Sequence, residues 1–162
     1  MTCKENILKS ILFEPFTFMN LVTRVNCSPQ TVNKYVSELE NLRKITHKKG
    51  KFKIFYNPVL ALEKIDFYEL MLNNSIRLTV ALLLASKDLS QVEIEQKILK
   101  SRPTVSRTLS ILVKNNIVEI QYHAPFKTYF IKNKPKIISW IKHTNSKLID
   151  DATDNMIKMF AN

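Results

Sequence analysis

The chain has 162 residues and a formal net charge of +11, and it is 45% hydrophobic and 24% charged. That is enough apolar material for a core, which excludes simple disorder, and the length allows one ordinary domain or two small ones. The single glycine, Gly50, argues against an all-β fold, whose turns need many positive-φ residues, and excludes the glycine-rich loops that cradle nucleotide phosphates. Cys3 and Cys27 are too few for a disulfide framework and lack metal-ligand spacing. No charged stretch followed by an apolar one opens the chain, and the longest apolar run, Val80–Ala85, falls far short of the roughly 20 residues that cross a bilayer. These features predict a helix-rich, basic binding protein of a reducing cytoplasm, away from the membrane. Residues 1–60 carry +6, residues 61–79 carry −1 and residues 80–132 carry +4, so two basic blocks flank a slightly acidic connector. Charge alone fits a solvated face, a nucleic acid or an anionic membrane.

In chain order, Ile7, Leu8, Ile11 and Leu12 predict a first helix. Thr17 caps a short second helix with apolar Met19, Leu21, Val22 and Val25. After a polar turn at Asn26-Cys27, Ser28 caps a third helix, with Pro29 at its first position, where the missing N–H costs nothing. Val32, Val36, Leu39 and Leu42 form the buried stripe of that helix, leaving Gln30, Asn33, Lys34 and Ser37 on the other face. The period then drops from 3.6 to 2. Ile45-Thr46-His47, a basic tip at Lys48-Lys49-Gly50-Lys51, and Phe52 to Tyr56 predict a β-hairpin. Asn57-Pro58 starts a helical stretch, and Asp66 with Glu69 reads as a capping box opening another, whose Phe67, Leu70, Met71 and Leu72 enter a core or a partner interface.

The same series then occurs again. Sliding the chain by 73 residues puts Ser28, Thr31, Val32, Ser37 and Leu39 on Ser101, Thr104, Val105, Ser110 and Leu112, with Lys34 on Arg107 and Thr17 on Ser90. A further one-residue gap puts Phe52–Tyr56 over Phe126–Phe130. A long period of this kind marks one supersecondary unit used twice. The second copy has a first helix at Leu78 and Ala81–Ala85 and a second at Val92, Ile94 and Ile98. Its third helix carries Val105, Leu109 and Leu112 inside and Arg102, Pro103, Ser106, Arg107 and Ser110 outside. A hairpin from Ile117 to Ile131 turns at His123-Ala124-Pro125.

Three helices with a helix-turn-helix in the middle, closed by a hairpin, define a winged-helix domain. The expected fold is therefore mainly α with small β-hairpin wings. Two tandem winged helix-turn-helix domains span residues 1–57 and 75–133, joined by a helical connector at 58–74. From Pro135 a long amphipathic helix occupies the remainder, 134–162, with Ile138, Ile141, Asn145, Leu148, Ala152, Asn155 and Met159 at 3-4 spacing. Such a stripe either packs back on its own domain or pairs with a second subunit.

Residues 101–112, with Asn116-Ile117-Val118 after them, resemble the recognition-helix signature of ArsR-like and MarR-like transcriptional regulators. Asn74–Leu78 and Lys127–Phe130 resemble their first-helix and wing-closing patterns. The resemblance is good over roughly residues 66–132 and weaker over 5–57; Asn116 stands where the family often has Gly, and Arg43-Lys44 takes that place in the first copy. It implies sequence-specific binding to double-stranded DNA, with the wings on the backbone or minor groove. Lys48, Lys49, Lys51 and Lys53 make the better wing and Lys127 a poorer second. It also implies a homodimer formed through terminal helices, here by Ile138, Ile141, Leu148, Ala152 and Met159. The family's metal-sensing cysteine-rich helix is absent, so no metal is carried over.

A helix of this kind fits the major groove, about 12 Å wide. Arg107 suits guanine, Asn33 and Gln30 suit adenine, and Ser37, Ser106 and Ser110 are permissive. Lys34, Arg102, Thr31 and Thr104 suit base edges or phosphates, and Ser28 and Ser101 place helix N-termini whose free N–H groups suit phosphate oxygens. No motif places a catalytic group, so no enzyme and no cofactor is expected. His143 with Asp150, Asp151 and Asp154 resembles a metal patch only loosely, and an unknown effector or protein partner stays open. A tandem winged-helix interaction scaffold and a plasmid or virus replication initiator are the alternatives.

Overall fold

The computed structural model describes residues 1–143, with side chains through Lys142. Among these residues the chain is mainly helical, with eight helices and two small three-stranded antiparallel sheets. It divides into two compact units, Met1–Glu69 and Leu70–Lys142.

The first unit runs α1 (Cys3–Ile11), β1 (Phe16–Thr17), α2 (Phe18–Val25), α3 (Pro29–Asn41), β2 (Thr46–Lys49) and β3 (Lys53–Tyr56), followed by α4, which spans Leu62–Met71. Ile7, Ile11, Leu21, Val25, Val32, Val36 and Leu39 project inward from α1, α2 and α3 and close one core with Phe16, Ile45 and Phe55 from the strands. Each such side chain contributes roughly 1.5–3 kcal/mol when fully removed from water. Leu42 and Met19, expected inside, are exposed; Leu42 is the C-cap of α3, where the helical stripe has ended.

The second unit runs α5 (Asn74–Ala85), β4 (Leu89–Ser90), α6 (Gln91–Ile98), α7 (Arg102–Lys114), β5 (Val118–His123) and β6 (Phe126–Ile131), then α8 (Lys134–His143). Helices α5, α6 and α7 pack on one another around Val80, Leu83, Ile94, Val105, Leu109 and Leu112, all buried. The Asn73 carboxamide caps α5, and the Lys134 ammonium donates to the Leu84 and Ser86 carbonyls at its far end. The helix expected from Pro135 begins one residue earlier, with Asn133 Oδ1 accepting from the Lys136 N–H at 3.1 Å.

Both sheets place the last strand in the middle, in the orders β1-β3-β2 and β4-β6-β5. The two-residue strands β1 and β4 are too short to show a period, so the sequence reading saw Thr17 and Ser90 only as helix caps. They serve as both: each pairs with the final strand, and its hydroxyl accepts from the third helical N–H of α2 or α6. Registry confirms the offset. Phe16 faces Phe55 while Leu89 faces Tyr129, and Thr46 faces Tyr56 while Glu119 faces Phe130, so the extra residue of the second copy lies at its hairpin tip.

The repeat also extends to backbone conformation. Asn26 and Leu99 end α2 and α6 at φ 52 and 53, and Arg43 and Asn116 follow α3 and α7 at φ 54 and 57. A chain without glycine at these turns bears the left-handed strain on whatever residue stands there, roughly 1–2 kcal/mol for one with a full side chain and less for Asn. Leu99 is 87% exposed and gains no packing in exchange. Leu99→Gly is therefore expected to stabilise the protein by about 0.5 kcal/mol net of the added unfolded-state entropy, with Asn26→Gly near zero. Urea midpoints of the two variants would check this, and a destabilised Leu99→Gly would refute it.

Three sequence expectations need correction. Asn57-Pro58 starts a turn rather than a helix, with the Leu60 N–H donating to the Asn57 carbonyl at 2.9 Å. Asp66 and Glu69 open no helix, because α4 begins four residues earlier, at Leu62. Cys3 and Cys27 are joined in a disulfide, with Cα atoms 6.5 Å apart. Two cysteines do not make a framework, but one bridge needs only two, and the packing of α1 against α2 and α3 brings them together. The argument for a reducing compartment therefore falls away. Among the described residues, no helix is long and apolar enough to cross a membrane.

Candidate nucleic-acid interface

The candidate faces are built by the turn between the second and third helix of each unit. Asn26 reverses the chain after α2, and Ser28 then caps α3, its Oγ accepting from the Thr31 N–H at 3.2 Å. The two hydroxyls, Ser28 Oγ and Thr31 Oγ1, also meet at 2.8 Å. The second unit repeats the pair, Ser101 Oγ to Thr104 Oγ1 at 2.9 Å, without the backbone bond. Ser28, Thr31, Ser101 and Thr104 are thus engaged in fixing where each helix starts.

Beyond the caps, the 3.6 period separates two faces. On α3, Val32, Val36 and Leu39 are buried, and Gln30, Asn33, Lys34 and Ser37 are exposed along one side. On α7, Val105, Thr108, Leu109 and Leu112 are buried, and Arg102, Ser106, Arg107 and Ser110 are exposed. Each outward position of α3 has its counterpart 73 residues later.

The two faces differ in electrostatics. In the first unit, acidic groups lie close by: Glu38 pairs with Lys4 at 2.7 Å, and Glu40 takes His47 and, at 3.7 Å, Lys53. Among the described residues, Lys34, Arg102 and Arg107 make no ion pair, so the α7 face holds two free guanidinium charges where the α3 face holds one ammonium, with Glu38 and Glu40 on the same helix.

The first hairpin is less basic than its sequence. The Lys48 ammonium donates to Asp66 Oδ1 at 2.7 Å and to Glu69 Oε2, and those carboxylates, Asp66 foremost, hold its pKa above the usual lysine value. Lys53 is shared between Glu40 and the face of the Phe55 ring, 4.7 Å from its centroid. Lys49 and Lys51 are exposed and form no ion pair among the described residues. Sequence spacing gave no sign of this because Asp66 and Glu69 stand 18 and 21 residues from Lys48. On the second hairpin, Lys127 lies over Tyr122 and Tyr129, 5.9 and 5.3 Å from their centroids, and the Tyr129 phenol raises its pKa. The sequence reading also missed that aromatic rings stand exposed at the hairpin ends, Tyr122 and Phe126 above all; the alignment of Phe52 with Phe126 was the available signal.

Of the candidate dimer residues, Ile138 is part-exposed and Ile141 is buried within its own chain. Leu148, Ala152 and Met159 lie outside the described residues, as do Asp150, Asp151 and Asp154. Among the described residues, no three His, Cys, Asp or Glu side chains gather in a metal-binding group.

No protein-family model matches the sequence, and no curated protein matches it. Among solved structures, the chain is similar to the hypothetical protein PyrSV_gp04 from Pyrobaculum spherical virus, at 15% identity and a TM-score of 0.38, over 82% of this chain and 94% of that one. A likeness at that level carries no argument about function.

Proposed function

We propose that the chain is a sequence-specific double-stranded DNA-binding transcriptional regulator, built of two tandem winged-helix units and acting as a homodimer. One observation carries the reading. Three outward positions recur on α3 and α7, Asn33, Lys34 and Ser37 against Ser106, Arg107 and Ser110, on helices that each follow a left-handed turn and a serine cap, and all six side chains suit base edges or phosphates. Each third helix has 13 residues, about 20 Å of length, which suits a major groove. Helix α7, whose Arg102 and Arg107 form no ion pair among the described residues, is the stronger reader, and α3 reads chiefly through Gln30 and Asn33. Pairing of subunits falls to Ile138 and the stripe beyond it, since Ile141 is already covered.

Selection of bound sequences from random duplexes at two salt concentrations, with solution mass measured by light scattering, tests the reading. Enrichment of an inverted repeat by a two-chain species supports it. Retention of all duplexes alike, or of none, rejects it. Salt dependence provides a finer test. Lys51→Ala is expected to lower the slope of log K against log salt by about one, the loss of one phosphate contact. Lys48→Ala is expected to lower it by clearly less, because Asp66 and Glu69 already neutralise that ammonium. Equal slopes for the two variants would show that the carboxylates release Lys48 on binding.

A further inference from the structure

Phe52 and Phe126 occupy equivalent points of the repeat, 74 residues apart, and stand 42% and 69% exposed. Each leaves its hairpin tip toward the last strand, and each is followed by a lysine, Lys53 or Lys127. Tyr122, on the second hairpin, is 73% exposed. None of the three is a stray core residue. Along β5 and β6 the inward face passes from Val118 and Ile131, both buried, through Ile120 and Tyr129, to Tyr122 and Lys127 beyond the core, with Phe126 paired to His123 at the very end. A cation accompanies the rings at both tips: Lys51 Nζ lies 5.7 Å from the Phe52 centroid, and Lys127 Nζ 5.9 Å from that of Tyr122. Neither tip, 48–53 or 121–128, contains a carboxylate.

Hairpin tips are ordinarily polar, and a phenylalanine kept in water at the same place in both copies points to a shared contact. The contact must offer flat apolar faces, to suit the rings, and negative charge, to suit Lys51 and Lys127, which form no ion pair among the described residues, whereas Lys48 and Lys53 already meet Asp66, Glu69 and Glu40. Nucleobases on a phosphate backbone offer both. We propose that the tips act as stacking wedges: Phe52 in the first unit, and Phe126 with Tyr122 in the second, stack on bases of a duplex unstacked at the contacted step, while the neighbouring lysines hold the flanking phosphates. The proposal rests on the duplex reading above and adds that the chain deforms the duplex it reads.

The test uses the full chain and a duplex obtained by the selection above, with 2-aminopurine substituted at successive positions. Binding is expected to raise the fluorescence severalfold at the steps under the tips. Phe126→Ala and Phe52→Ala each abolish the rise at their own step and weaken binding about five- to a hundredfold. Phe126→Tyr keeps the rise, because the ring that stacks is retained. Binding by the wild-type chain with no rise anywhere overturns the wedge and leaves the duplex reading standing, whereas no duplex binding at all removes both. Phe126→Ala and Phe52→Ala variants that keep the rise, or that instead split a dimer in light scattering, also overturn the proposal.

Discussion

Arg107→Ala is expected to cost about 1–3 kcal/mol of duplex binding and to relax preference at one base pair while leaving the other positions of the site unchanged. The basis is geometric and electrostatic together. Arg107 is the sixth of the 13 residues of α7, on the face opposite Val105 and Leu109, where a groove-bound helix meets base edges. Its guanidinium forms no ion pair among the described residues, so binding need not first break one. Arg107→Lys should recover affinity but little selectivity, because an ammonium is a point charge and lacks the planar fork that grips guanine O6 and N7 together. Binding measured against the selected site and each single-base variant reads both effects. A loss uniform across all of them would make Arg107 a phosphate contact.

Opening the Cys3–Cys27 bridge should have the largest effect on stability. The bridge spans 24 residues and ties the first residue of α1 to the turn between α2 and α3. Closing a loop of that size in the unfolded chain is worth about 3 kcal/mol, which for a unit this small corresponds to a melting point lower by about 10–20 °C on reduction. Cys3→Ser with Cys27→Ser should melt where the reduced wild type does and show no further response to dithiothreitol. An unchanged melting point on reduction would mean that α1 is held by its apolar face alone. Because Cys27 directly precedes the Ser28 cap, the same treatment should also loosen the start of α3 and impair its face more than that of α7.

Much of this architecture is legible in the sequence because it is local or repeated. The caps at Thr17, Ser28, Ser90 and Ser101, the buried stripes of α3 and α7, and both hairpins follow from spacing alone, whereas of the four left-handed turns only Asn116 is marked in the sequence, by standing where ArsR-like and MarR-like regulators often have Gly. The missing parts are those set by distant neighbours. Strands β1 and β4 exist only because β3 and β6 pair with them. Asp66 and Glu69 make a plausible capping box in sequence and a lysine clamp in space. Met19 and Val92 match an apolar stripe yet face water at equivalent positions of both units, and nothing in the structure explains them. The candidate faces were legible as faces. Two arginines against one lysine is also legible there, but which partners Glu38 and Glu40 take is not, since these are remote in sequence or lie across a hairpin.

The shared left-handed turn has a consequence for how such a chain can change. Since Asn26 and Leu99 launch α3 and α7 from the same backbone geometry, positions 33, 34 and 37 correspond in register to 106, 107 and 110. Only the inward residues carry each core, so the outward triplets are interchangeable text on a common scaffold. Transplanting Ser106, Arg107 and Ser110 onto the first unit would match the two faces at those three positions without touching a buried side chain. On the proposed reading, duplication of one unit followed by drift confined to those few letters would suffice to turn a single reader into a reader of two different words.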